Sequence, residues 1–172
     1  LRADACVTAA TGLACTVMVA DCLPVLLRDP AGRAVGAAHA GWRGLAAGVV
    51  EKAAERVAQL AGIPTASLHA WLGPAIGPRA FEVGAEVRDA FMQGAGDARD
   101  AEATVRAFVP RENAPGKYWA DLDALARLRL ARLGLAQVGG GGACTVNERE
   151  RFYSFRRDGR TGRMAALIWL AD

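Results

Sequence analysis

The sequence predicts an α+β fold, and three observations carry that prediction. Short apolar runs that read as strands crowd the first forty residues. Two longer stretches switch to helical spacing. The two kinds of element then follow one another irregularly, with hairpin signals near the end, unlike the strict alternation of a doubly wound parallel sheet. With 172 residues, 52% of them hydrophobic, the chain is read as one domain with a real core.

The elements are justified in order. Cys6 to Ala9, Cys15 to Val19 and Pro24 to Arg28 read as strands separated by a turn at Gly12 and a second turn before Pro24, with Pro24 arguing against a regular central strand there. Asp29, Pro30, Ala31 and Gly32 make a turn, and Ala34 to His39 is a strand of small residues. From Leu45 to Leu60 the spacing is helical. Leu45, Val49, Ala53, Val57 and Leu60 share one face, and Gly62 and Pro64 end the helix. Leu68 to Leu72 is a strand, Phe81 to Val83 a short extended piece and Glu86 to Met92 a helix. Gly94 to Thr104, polar and small, reads as a surface loop or a loosely helical excursion. Asp121 caps a helix whose Leu122, Leu125, Leu128, Leu130 and Leu133 point inward and whose Arg127, Arg129 and Arg132 are solvated. Gly139 to Gly142 is a flexible break. The remainder reads as strand, turn at Asp158 and Gly159, then a buried strand from Met164 to Leu170.

A net charge of +3 without a run of five basic residues gives no footprint for a nucleic-acid partner. The longest apolar stretches, Leu13 to Val19 and Leu23 to Leu27, are too short to span a bilayer. Four Cys without C-x-x-C spacing read as reduced thiols, so a cytoplasmic location is expected. The two His of this chain cannot furnish a multi-imidazole copper centre.

Cys22 and His39 each lie at the end of a predicted strand, where a thiol and an imidazole can meet. Such a pair suits Zn²⁺ ligation or a thiolate activated by its base; each residue alone also reads as core packing. Gly41, Trp42, Arg43 and Gly44 then open a helix, offering an anion site with Arg43 as a planar fork, or simply a tight turn. His69 reads as structural and Cys144 as a packed thiol. The Phe152 to Arg157 segment reads either as an anion- and base-binding stretch or as an amphipathic edge strand.

Four segments, ADCLPVLL (Ala20 to Leu27), GAAHAGWRG (Gly36 to Gly44), LGPAIGPRAFEVG (Leu72 to Gly84) and FYSFRRDGRTGR (Phe152 to Arg163), closely resemble the YfiH-like family. Its members are labelled laccase-domain proteins, polyphenol oxidases or purine nucleoside phosphorylases. The resemblance implies a four-layer α/β/β/α sandwich with mixed sheets. It implies a zinc-dependent enzyme that phosphorolyses adenosine, inosine, guanosine and methylthioadenosine and deaminates adenosine. Cys22 and His39 match two of the family's three metal ligands and are the catalytic residues. The third, a His in a Q-V-H-type motif, is expected upstream of Leu1, so residues 1–172 are expected to be one catalytic domain lacking its first segment.

On this reading Arg43, and secondarily Arg156, hold phosphate, and Asp21 is a candidate proton carrier. Copper belongs to the family's label and is disfavoured by the His count. The alternatives are a metal-free Cys-His hydrolase or amidase acting on peptidoglycan precursors, a polyphenol oxidase as labelled, or a non-enzymatic binding protein. The partners expected are purine nucleosides and phosphate, with no nucleic acid and no membrane.

Overall fold

The computed structural model describes residues 3–171. Strands β1 (Ala5–Thr8), β2 (Cys15–Val19), β3 (Leu23–Arg28) and β4 (Val35–Ala40) lead into helices α1 (Trp42–Ala46) and α2 (Val49–Ala61). After β5 (His69–Leu72) come β6 (Glu82–Gly84), α3 (Ala85–Gln93), α4 (Ala98–Arg106), β7 (Phe108–Pro110) and β8 (Lys117–Ala120). The chain continues with α5 (Leu122–Arg132), β9 (Gln137–Gly140), α6 (Phe155–Asp158) and β10 (Met164–Ile168). Among the described residues, the strands make three sheets: β1-β4-β3-β5-β9, β10-β2 and β6-β8-β7. The fold is α+β, as the irregular order of elements predicted, and the large sheet is mixed, since β5 and β9 run parallel.

The large sheet is the spine, because β3 at its centre is apolar on both faces. Leu23, Val25 and Leu27 join the core beneath α2 and α5, while Leu26 packs with Cys15, Val17, Ala166 and Ile168 of the two-stranded sheet on the other side. In β4, Gly36 admits the close approach of its neighbours: a Cβ there would lie 2.8 Å from Val57 of α2 and 2.9 Å from Val7 of β1. α2 therefore rests directly on β4.

Several expectations are corrected. The single helix from Leu45 to Leu60 is two, because Gly48 takes a left-handed φ of 83° and turns the chain between α1 and α2. The polar stretch from Gly94 to Thr104 takes the helical of its two readings: it contains α4, capped by Asp97, which accepts from the Asp100 amide at 2.9 Å, and tied to α5 by Arg132 on Asp100 at 2.9 Å. β8, in Lys117–Ala120, had no separate signal. Arg129 is not solvated. It is 5% exposed, over the Phe91 ring, and donates to Glu51 at 3.2 Å. Gly139 and Gly140 belong to β9 rather than to a loose break.

The terminal segment forms no hairpin. Phe155–Asp158 is a short helix capped by Ser154, and β10 pairs with β2, far away in sequence. β10 alternates in burial, so Leu167, and Trp169 just beyond the strand, are exposed beside Met18 of β2. Pro24 does sit in the central strand. Its neighbour His39 sends its N–H to Asp4, and the Pro24 carbonyl accepts from Gly73 beyond the end of β5, so no ladder bond needs the N–H that proline lacks.

The β3–β4 turn is held by Asp29, which is 1% exposed and accepts from the Arg33 amide at 3.0 Å and from its guanidinium at 2.7 and 3.0 Å. The Arg33 side chain holds the Asp29 carboxyl well below the usual carboxylate range. A depressed acid contributes stability above its unfolded pKa, near 4, and loses it as pH falls further. Asp29→Asn should cost about 1–3 kcal/mol at pH 7, toward the lower end because Arg33 is half exposed. Urea unfolding should show the gap from wild type closing below about pH 4.

Candidate functional site

The antiparallel register of β3 and β4 places Leu23 opposite Ala40 and Pro24 opposite His39. Cys22, one residue before β3, and Gly41, one residue after β4, therefore meet at the same edge. A Cβ on Gly41 would lie 3.1 Å from the Cys22 sulfur and 3.8 Å from His39 Cε1, so glycine is what lets the thiol and the ring close up here. β1 lies on the other flank of β4. From the residue before it, Asp4 Oδ1 reaches His39 Nδ1 at 3.2 Å, and the Asp4 carbonyl accepts the His39 amide at 2.7 Å. The edge of three neighbouring strands thus presents Asp4, His39 and Cys22 together.

Cys22 and then Asp4 hold the His39 imidazolium and, against the opposing effect of burial, push its pKa up to about 9. Asp4 escaped the sequence reading. The only signal for it would have been the pairing of β1 with β4, which the chain order β1-β2-β3-β4 does not suggest.

Two cavities meet at the pair. The larger, of about 440 Å³, is walled by Ile76, Phe81, Leu122 and Phe155, with Arg156 and Arg163 at its polar side. The smaller, of about 250 Å³, is lined by Asp4, Gly41, Arg43 and Gly44. Cys22, His39 and Trp42 line both.

Arg43 lies where the sequence placed it, with its guanidinium stacked on Trp42 at 4.3 Å. The helix behind it is only five residues long, so the anion-attracting dipole expected there is weak and Arg43 supplies the charge. Arg156 also reaches the site, but its guanidinium donates to the Ala80 and Glu82 carbonyls at 3.2–3.3 Å over the Phe81 ring, which makes it a wall. Arg163, which the sequence reading passed over, donates only to carbonyls of its own loop, Thr161 and Gly162.

Asp21 is no free proton carrier. Oδ1 accepts from the Thr145 hydroxyl and Oδ2 from the Arg156 amide, each at 2.6 Å. Cys144 lines a different cavity of about 270 Å³, where its sulfur accepts from the Gly77 amide at 3.2 Å. His69 pairs with Arg28 at the far end of β3 and shares a 3.0 Å contact with its guanidinium. Six strand residues, about 20 Å, separate it from Cys22, so it cannot replace a missing ligand. No three His, Cys, Asp or Glu among the described residues are grouped to hold a metal ion.

A family profile described as "Multi-copper polyphenol oxidoreductase laccase" matches residues 1–171. The chain belongs to this family, the YfiH-like proteins. It is 55% identical over 172 residues to a purine nucleoside phosphorylase of Pseudomonas aeruginosa and 56% identical over 169 residues to the purine nucleoside phosphorylase YfiH of Escherichia coli. All of this chain is covered in the first and 98% in the second, against 66% and 64% of those relatives. The chain thus spans just under two thirds of their length. The crystal structure of a Neisseria meningitidis protein superposes with a TM-score of 0.88 at 52% identity, covering 99% of this chain and 65% of that one. The Bacillus licheniformis YfiH structure gives 0.87 at 33% identity, covering 97% and 61%.

Folding raises the His39 pKa above its ordinary 6.5, so the stabilisation it contributes is complete below pH 6.5 and is lost as pH rises through about 9. In chelated protein, urea unfolding should show wild type exceeding His39→Asn most at pH 6 and converging with it above pH 9. A constant difference across that range would contradict the charged pair.

Proposed function

We propose that this YfiH-like chain carries the catalytic site of a zinc-dependent purine nucleoside phosphorylase, acting on adenosine, inosine, guanosine and methylthioadenosine, with adenosine deamination as a second activity. The observation that carries the reading is the position of Cys22 and His39 where two cavities meet. The larger is of ordinary ligand-site size and walled by Phe81, Phe155 and Ile76, which suits a purine. The smaller, with Gly41, Gly44 and the Arg43 fork, suits inorganic phosphate. A reaction that joins a nucleoside to phosphate needs two such compartments meeting at the bond that breaks. The names of the Pseudomonas and Escherichia relatives support the same class.

Zinc is assigned to Cys22 and His39, which supply a thiolate and an imidazole of the kind that metal prefers, with the third ligand a His outside this chain. When bound it would act as a Lewis acid. The pair alone is an incomplete shell, so the steps assigned here rest on the protein's own groups. Arg43 holds and orients the phosphate. Trp42 lines both cavities, and Phe81 and Ile76 offer the purine an apolar face in the larger one. With zinc bound, His39 would be a neutral ligand through one ring nitrogen, its other ring nitrogen held and oriented by the Asp4 carboxylate. The laccase wording of the family description asks for copper centres that two His cannot build.

One observation favours a second reading. Cys22, His39 and Asp4 stand in the order nucleophile, base and orienting carboxylate, which would serve a metal-free hydrolase or amidase of peptidoglycan precursors. The two readings separate cleanly. Under phosphorolysis, zinc-loaded protein with adenosine and phosphate yields adenine and ribose 1-phosphate on chromatography, and chelation abolishes it. Under the hydrolase reading, chelated protein stays active and alkylation of Cys22 stops it.

Cys22→Ala and His39→Ala should each lower phosphorolysis about a thousandfold or more and lose bound zinc. Arg43→Ala should raise KM for phosphate about tenfold to a hundredfold, as expected for one charge-assisted contact, with little change in KM for the nucleoside.

A further inference from the structure

Asp21 is the only non-glycine residue with a positive φ among the described residues, at 88°. An Asp tolerates this left-handed conformation better than most side chains, yet it remains disfavoured, and it persists here because the residue is held from every side. Asp21 is 8% exposed. Its two carboxylate oxygens take one donor each, the Thr145 hydroxyl and the Arg156 amide, from positions 124 and 135 residues away. Its carbonyl accepts from the Ile76 amide at 2.9 Å.

These partners are not scattered. Ile76 and Arg156, with Phe155 beside it, line the larger cavity, as do Asp21 itself and its neighbour Cys22. Thr145 is fully buried, and the Arg157 guanidinium donates to the Thr145 and Val146 carbonyls at 2.8 and 3.1 Å. The segment from Thr145 to Arg157 is thereby closed on itself and fastened to the sheet edge at Asp21.

We propose that Asp21 is a positioning residue: its carboxylate sets the Phe155–Arg156 wall against the Cys22 thiol and so determines how tightly the larger cavity grips its ligand. Each oxygen already accepts one hydrogen bond from this segment, and the role assigned to the carboxylate is to place the wall rather than to carry a proton. The identity of that ligand as a nucleoside rests on the function proposed above; the positioning role does not.

Asp21→Gly tests the role without disturbing the backbone, since glycine adopts this φ freely and only the carboxylate is lost. Asp21→Asn keeps the size and one acceptor and is the conservative rescue. In zinc-loaded protein, Asp21→Gly should raise KM for adenosine about tenfold while kcat and KM for phosphate stay within about threefold, with Asp21→Asn in between. Hydrogen exchange should show the Arg156 amide and its neighbours losing protection while β3 and β4 keep theirs. In chelated protein at fixed pH, Cys22 should be alkylated by iodoacetamide several-fold faster than in wild type.

A fall in kcat at unchanged KM, matching a loss of folded protein, would reduce Asp21 to a structural residue and overturn the proposal. So would wild-type KM and a wild-type alkylation rate in Asp21→Gly. If wild type neither binds nor turns over nucleosides, the purine reading fails, and the exchange and alkylation measurements decide Asp21 by themselves.

Discussion

The ladder between β3 and β4 governs this molecule. Backbone groups buried in the centre of a sheet have no partner but each other, so the register that sets Leu23 against Ala40 cannot slip without orphaning them and turning Val25 and Leu27 away from the core. With that register held, Cys22 and His39 have no choice of place. The start of β3, the end of β4 and the start of β1 lie at one edge because β1 and β3 each pair antiparallel with β4 between them, and Cys22, His39 and Asp4 arrive there together. Chemistry at this edge is a consequence of pairing.

Around that edge the fold uses a few buried polar groups where apolar packing would leave gaps. Asp21 gathers the β2–β3 turn, the Ile76 loop and the Thr145 to Arg157 segment. Arg129 does the same for the helices, meeting Glu51 of α2 and the Gly94 and Ala46 carbonyls with 3.2–3.4 Å contacts. Each joins pieces distant in sequence, and each is costly to disturb, since deleting one partner strands the others in a dry interior. Trp42 lines both cavities of the site and carries the Arg43 guanidinium on its face, while Phe81 and Phe155 line the larger one with Arg156 and Arg163.

The strands around the site were legible because β2 alternates and β3 is a continuous apolar run, patterns that local spacing reveals. The Cys22–His39 pair was legible for the same reason, as two strand ends bearing compatible chemistry. Elements held by distant contacts were not. α4 has a polar, small-residue sequence and is stabilised by its Asp97 cap and by Arg132 from another helix. Arg129 shares the helical spacing that made Arg127 and Arg132 read as solvated, and its burial rests on Glu51, 78 positions away, with the Gly94 and Ala46 carbonyls and the Phe91 ring. The Phe152 to Arg157 segment carried strand-like residues, but Ser154 caps a short helix at the Arg157 amide while the Arg156 amide donates to the Asp21 carboxylate.

By itself, the sequence determined the α+β class, the strand ends that carry Cys22 and His39, and the location of Arg43 beside them, because these depend on residues within a few positions of one another. It also determined that two His cannot make a multi-copper centre. The tertiary structure alone decided that Asp4 braces His39, that Asp21 is a clamp and Arg156 a wall, that His69 lies at the wrong end of its strand, and that two cavities meet at the thiol. These depend on which strands become neighbours in space. Hydrogen-bond satisfaction and core packing settle that across the whole chain, and no local pattern encodes it.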